Sequence, residues 1–178
     1  MKKGLLFTVA VLATLVVGLL IVPPLLGIDL MARAKAHGLV AYSTDEAVAL
    51  AYERCTGCHD SEKIVKYCTR CGPPFIVASH FMQKYVEITN QNGLVVEPFT
   101  DAELVAIVQV WNALVGNWEV DWKKQDLAKL IAGNKGLLGL LEIPLDQRPI
   151  ESALQGKRAP GAYIEEQNQP ATAGAGAS

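Results

Sequence analysis

At 178 residues the chain is long enough for one modest domain with extensions and too short for several domains. With 51% of its residues hydrophobic it has the apolar surface to build a core, which excludes a wholly disordered chain. Its net charge is −2, and without a stripe of lysine and arginine there is no electrostatic footprint for nucleic acid.

The apolar residues are unevenly spread. Residues 5–22, LLFTVAVLATLVVGLLIV, carry no charge and are about long enough to cross a hydrocarbon core. Lys2 and Lys3 precede the run, and all 18 acidic residues and 14 of the 16 basic ones follow it. That asymmetry predicts a cytoplasmic N-terminus with everything after the run exported. Residues 1–28 then form a single-pass transmembrane anchor that meets the lipid bilayer through residues 5–22. A cleaved signal peptide is the alternative. Its apolar region is normally shorter, about 7–15 residues, and the small residues of ARAKA at 32–36 lie well beyond the run. Residues 29–43 read as a tether.

STDEAVALAYERC at 43–55 predicts a helix, with Ser43 and Glu46 at capping-box spacing. Ala47, Ala51 and Cys55, flanked by Val48 and Tyr52, form an apolar stripe at helical spacing. Gly72-Pro73-Pro74 breaks the chain. A second helix is expected from Phe75 to about Asn90. Ala78, Met82, Tyr85 and Thr89 share one of its faces, while His80, Gln83, Lys84 and Glu87 occupy the opposite, polar side. Residues 91–98 form a loop around Asn92-Gly93. A third helix begins at Thr100, with Glu103 again three residues on, and Leu104, Ile107, Val108, Trp111 and Val115 recur on one face. Residues 116–150 make an apolar extension. It contains Trp118, Trp122, a short amphipathic helix within 121–133, and LLGLLEIPL at 137–145 broken by Pro144. This extension either completes the core or docks onto a larger complex or the membrane surface. From about residue 151 the chain turns polar and then low in complexity, which predicts a flexible tail over 151–178.

All four cysteines sit in one short stretch, as CTGCH at 55–59 and CTRCG at 68–72. A CxxCH sequence is the signature of covalent haem attachment. Two thiols three residues apart can meet the two vinyl groups of one ring edge, and the adjacent histidine lies under the ring. Cys55 and Cys58 are therefore the candidate thioether residues and His59 the candidate proximal iron ligand. The competing arrangement is a zinc ribbon, C-x2-C-x9-C-x2-C, in which Cys55, Cys58, Cys68 and Cys71 hold one tetrahedral zinc and stabilise an anchored interaction module. For a sixth ligand on iron, Met82 on the apolar face is better placed than His80 on the polar one. His37 falls in the tether and is expected to be solvated. CTRC lacks the histidine, so Cys68 and Cys71 are expected to form a local disulfide in an oxidising compartment.

The helix running into CTGCH, EKI shortly after it, FMQKYV with its methionine, and PFTDAELVAIVQVW together resemble a small class I-like cytochrome c over about residues 44–115. That resemblance implies an all-α haem domain in which the first and last helices pack beside one covalently bound haem c. It also implies histidine–methionine ligation, and a backbone carbonyl, here of Pro73 or Pro74, as partner of the proximal histidine. The span from His59 to Met82 is shorter than in the mitochondrial-type proteins. Histidine–methionine ligation fills both axial positions and suits electron transfer. No nucleophile–histidine set or acid–base pair stands out, so the chain reads as an electron carrier and not as a self-contained enzyme. The expected partner is a membrane-bound electron-transfer complex. The expected location is a bacterial inner membrane, with the haem domain on the periplasmic side.

Overall fold

The computed structural model describes residues 11, 12, 14, 29–66, 72–157 and 159. The chain divides into two units, Met1–Ala41 and Tyr42–Ser178. In the first, the expected tether contains a helix, α1 (Leu30–Ala36), because Asp29 caps it: its carboxylate accepts from the backbone N–H of Met31 at 2.9 Å and of Ala32 at 3.0 Å. Except for Val11, Leu12 and Thr14, the proposed membrane anchor lies outside the described residues. Among the described residues no helix is long and apolar enough to cross a membrane.

The second unit is all-α, and its described residues contain no strand. Helix α2 (Thr44–Cys55) starts at a complete capping box, in which Ser43 Oγ accepts from the Glu46 N–H and Glu46 Oε2 accepts from the Ser43 N–H. A short α3 (Glu62–Val65) follows the first cysteine pair. Pro74 precedes α4 (Phe75–Gln91), which ends where Gly93 adopts a φ of 89°. Thr100 and Glu103 form the second capping box and open α5 (Asp101–Val115), which stops at Gly116 with a φ of 135°. Then come α6 (Lys124–Leu130), α7 (Lys135–Glu142) and α8 (Pro149–Leu154), with single 3-10 turns at Glu119–Asp121 and Leu145–Gln147.

Helix α5 is the centre. Ile107, Val110, Trp111 and Leu114 pack with Ala47 and Ala51 of α2, Phe75, Trp118, and Ile150 and Leu154 of α8. On its other side Leu104 and Val108 pack with Ile76 and Val77 of α4 and with Leu127, Ile131, Leu137 and Leu140. The sequence pattern suggested one apolar face. The structure instead buries eleven of the fifteen residues of α5, because residues beyond 116 wrap the side that α2 and α4 leave open. The apolar extension is thus part of the core, and each fully buried leucine in it contributes about 1.5–3 kcal/mol. Of the expected flexible tail only residues 151–157 and 159 are among the described residues, and these include buried positions. Glu151, Leu154 and Ala159 are buried, and the Ala159 N–H donates to the Leu114 carbonyl at 3.2 Å.

The close approach of α7 to α5 rests on a glycine. A Cβ on Gly136 would stand 2.8 Å from the Asp101 Cβ and 2.9 Å from its carbonyl oxygen. In an open helix Gly→Ala gains about 0.5–1 kcal/mol, but forcing a methyl into a packed contact costs about 1–3 kcal/mol. The clash is with fixed backbone, so Gly136→Ala is expected to lower the urea midpoint of unfolding. A raised midpoint would show that α7 does not start against α5.

Candidate cofactor-binding site

Helix α2 delivers Cys55 as its last residue. Thr56 then closes the helix, its hydroxyl donating to the Tyr52 carbonyl at 2.7 Å, and the chain turns to bring Cys58 and His59 onto the same surface. That surface is one wall of a cavity of about 610 Å³, within the roughly 300–1,000 Å³ range of cofactor and ligand pockets. Cys55, Cys58, His59 and Ile64 line it from one part of the chain, and Ala78, Met82, Tyr85 and Thr89 of α4 line it from another. These four α4 residues are the face read from their spacing. Val96 and Phe99 of the 92–99 loop and Trp111 of α5 also line it, with Glu53, Arg54, Lys63 and Glu97 among the charged residues of a lining that is otherwise predominantly apolar.

The two cysteines differ. Cys58 is exposed, whereas Cys55 is half-buried, and both are free thiols. Burial pushes the Cys55 thiol up from its ordinary pKa. A hydrogen bond from the Trp111 indole N–H and the charge of Arg54 work against that rise. The indole Nε1 lies 3.4 Å from Cys55 Sγ. His59 places Nδ1 3.1 Å from the carbonyl oxygen of Asp60. A carbonyl can only accept, so Nδ1 carries the proton and Nε2 keeps its lone pair for a metal. The partner carbonyl on His59 in this structure is that of Asp60, the next residue.

Met82 and His80 are separated by the helix. Met82 is 44% exposed and lines the cavity; His80 is 6% exposed and does not line it. His80 does sit on the opposite side of α4, as its spacing predicted. Of that side His80 is buried and Gln83 half-buried, where α4 packs against α5 and the Gln83 side chain accepts from Asn134 Nδ2 at 2.9 Å, while Lys84 and Glu87 stay exposed. Burial, and next the charge of Lys84, push the His80 pKa down, with Glu87 opposing. His80 Nδ1 has no hydrogen-bond partner among the described residues.

The loop forming one wall is clamped at two points that the sequence did not advertise. Asn90 donates to the Val96 carbonyl at 2.8 Å and accepts from the Val96 N–H at 2.7 Å. Arg54 donates to Glu97 Oε2 at 2.6 Å and to the Glu97 and Pro98 carbonyls at 2.9 and 2.8 Å, and lies 4.8 Å over the Phe99 ring. Cys68 and Cys71 lie outside the described residues, and with them the expected disulfide and half of the alternative zinc site. Among the described residues no three His, Cys, Asp or Glu side chains gather in a metal-holding group. Comparison with protein-family models, with curated proteins and with solved structures finds no match to this chain.

Proposed function

We propose that this chain is a membrane-tethered, one-electron carrier with a single covalently bound haem c, working as a subunit or close partner of a membrane-bound redox complex. One observation carries the proposal: a single cavity of about 610 Å³ brings Cys55, Cys58 and His59 together with Met82. These residues fit the group. Cys55 and Cys58 would hold it covalently, and His59, with its Nδ1 proton on the Asp60 carbonyl, would offer Nε2 to iron. Met82 would offer its thioether from α4, and the lining is predominantly apolar. The haem supplies an iron that takes up and releases one electron. If His59 and Met82 both bound its iron, the group would carry single electrons and leave no place for a substrate, and the methionine would raise its potential.

The first test is a visible spectrum of purified protein after alkaline pyridine and reduction, with haem staining of the denatured band. Stoichiometric zinc without haem would favour the four-cysteine site instead. The distal ligand has its own test. Ferric low-spin haem with a methionine ligand has a weak charge-transfer band in the far red. Met82→Ala is expected to remove that band and lower the potential, and His80→Ala to leave the band in place. The reverse pattern would assign the ligand to His80. The anchor is proposed from Lys2, Lys3 and the charge-free run at 5–22. An intact mass that includes this segment, in protein extracted from the bacterial inner membrane, supports it, and a mature protein starting near Lys35 would overturn it.

A further inference from the structure

We infer that Trp111 is a positioning residue for Cys55, holding its sulfur at the cavity wall for bond formation. The inference rests on reading the cavity as a haem c site. It starts from an asymmetry within the CxxCH motif. Cys58 is exposed, while Cys55 ends α2 against the core and is half-buried. A buried thiol is a poor nucleophile, because the reactive thiolate is disfavoured where water is excluded. Two groups face Cys55 in this position. Arg54 is its chain neighbour, with its guanidinium occupied by Glu97 and two backbone carbonyls. Trp111 comes from α5, fifty-six residues away, and puts its indole N–H 3.4 Å from Cys55 Sγ.

The indole is itself fixed. Trp111 is 1% exposed and its ring lies 5.0 Å from that of Tyr52, one turn before Cys55. Its N–H is a donor with no alternative role, and sulfur is the acceptor it meets. Donation to sulfur favours the thiolate over the thiol and restricts the rotation of the Cys55 side chain. The bond-forming step is an addition. Sulfur forms one bond to the inner carbon of a vinyl group, and a proton ends on the outer carbon, giving a methyl group. No electron leaves the pair, so no oxidant is needed. Cys58, out in solvent, has no such requirement for help.

The experiment substitutes Trp111 in the full chain by its isostere 3-benzothienylalanine, in which sulfur replaces the indole N–H. Trp111→Phe serves as a second variant. Purified haem-containing protein is denatured and its thioethers are counted from the pyridine haemochrome band, which shifts when one vinyl group stays unsaturated, and by mass mapping of the 55–59 peptide. The expected result is two thioethers in the unaltered chain. In both variants a single-thioether species appears, attached through Cys58 and free at Cys55. Full double attachment in the isostere overturns the inference and leaves the haem reading intact, even if Trp111→Phe fails, because the role of Trp111 is then packing. Loss at Cys58 instead of Cys55 also overturns it. Absence of haem from the unaltered chain removes both the inference and the reading beneath it.

Discussion

His59→Ala is expected to abolish the low-spin spectrum and to reduce the yield of haem-containing protein to a small fraction. On the proposed reading His59 would be the axial donor beside both attaching thiols, oriented by its Nδ1 bond to the Asp60 carbonyl. The same change separates the two readings of the cysteines. A tetrahedral site made by Cys55, Cys58, Cys68 and Cys71 does not use His59 and would keep its metal. A His59→Ala protein with an unchanged metal content and normal folding therefore overturns the haem proposal. Its complement is the double variant Cys68→Ala, Cys71→Ala. If the second pair is only a local staple, haem stays attached and stability falls by about 2 kcal/mol, as expected for a short closed loop. Loss of haem in that variant would unite the two CxxC pairs in one site.

Arg148→Ala is expected to cost about 3–5 kcal/mol in urea unfolding, a large share of a domain's typical stability of roughly 5–15 kcal/mol. The side chain of Arg148 is 1% exposed. Its Nη1 and Nη2 donate to Glu119 at 2.9 and 2.7 Å in a fork, and Nε donates to the Ile143 carbonyl at 3.2 Å. Removing it strands the buried Glu119 carboxylate. Glu151 stands in a second rank, 3.4 Å from Nη1 and 2.7 Å from Asn117 Nδ2. One guanidinium thus faces two carboxylates, with Asn112 donating to Glu119 at 2.9 Å. Burial foremost pushes the Glu151 pKa up, and Glu119 adds to the rise against the hydrogen bond of Asn117 and the charge of Arg148. The folded state then holds this proton more tightly than the unfolded chain. The contribution of Glu151 to stability is present below its ordinary value of 4.5 and is lost as pH rises through the raised one. Glu151→Gln keeps the acceptor for Asn117 and is expected to make stability less dependent on pH across that window. An unchanged dependence in the variant would show that Glu151 is ionised throughout that window.

The features legible in the sequence are those whose causes lie within a few residues. Both capping boxes, at Ser43–Glu46 and Thr100–Glu103, are complete, because three residues are all the reach that a side chain and an N–H require. Ala78, Met82, Tyr85 and Thr89 share a cavity wall because helical geometry alone aligns them. What tertiary packing decided is everything that depends on which surface is covered. His80 lies on the side of α4 that looked solvated, and it is buried where α4 packs against α5, while Lys84 and Glu87 on the same side remain exposed. Residues 116–150 read equally as core or as a docking extension, and they are core because α5 has a second apolar side for Leu127, Ile131, Leu137 and Leu140 to cover. The indole of Trp111 against Cys55, the clamp of Arg54 on Glu97, and Arg148 between Glu119 and Glu151 span from three to fifty-six residues. No local periodicity encodes the pairs that lie 29 or more residues apart; only Arg148 and Glu151 stand at helical i, i+3 spacing. Each forms because burying apolar neighbours leaves a polar group with one partner within reach, and an unpaired group there costs more than the bond gains.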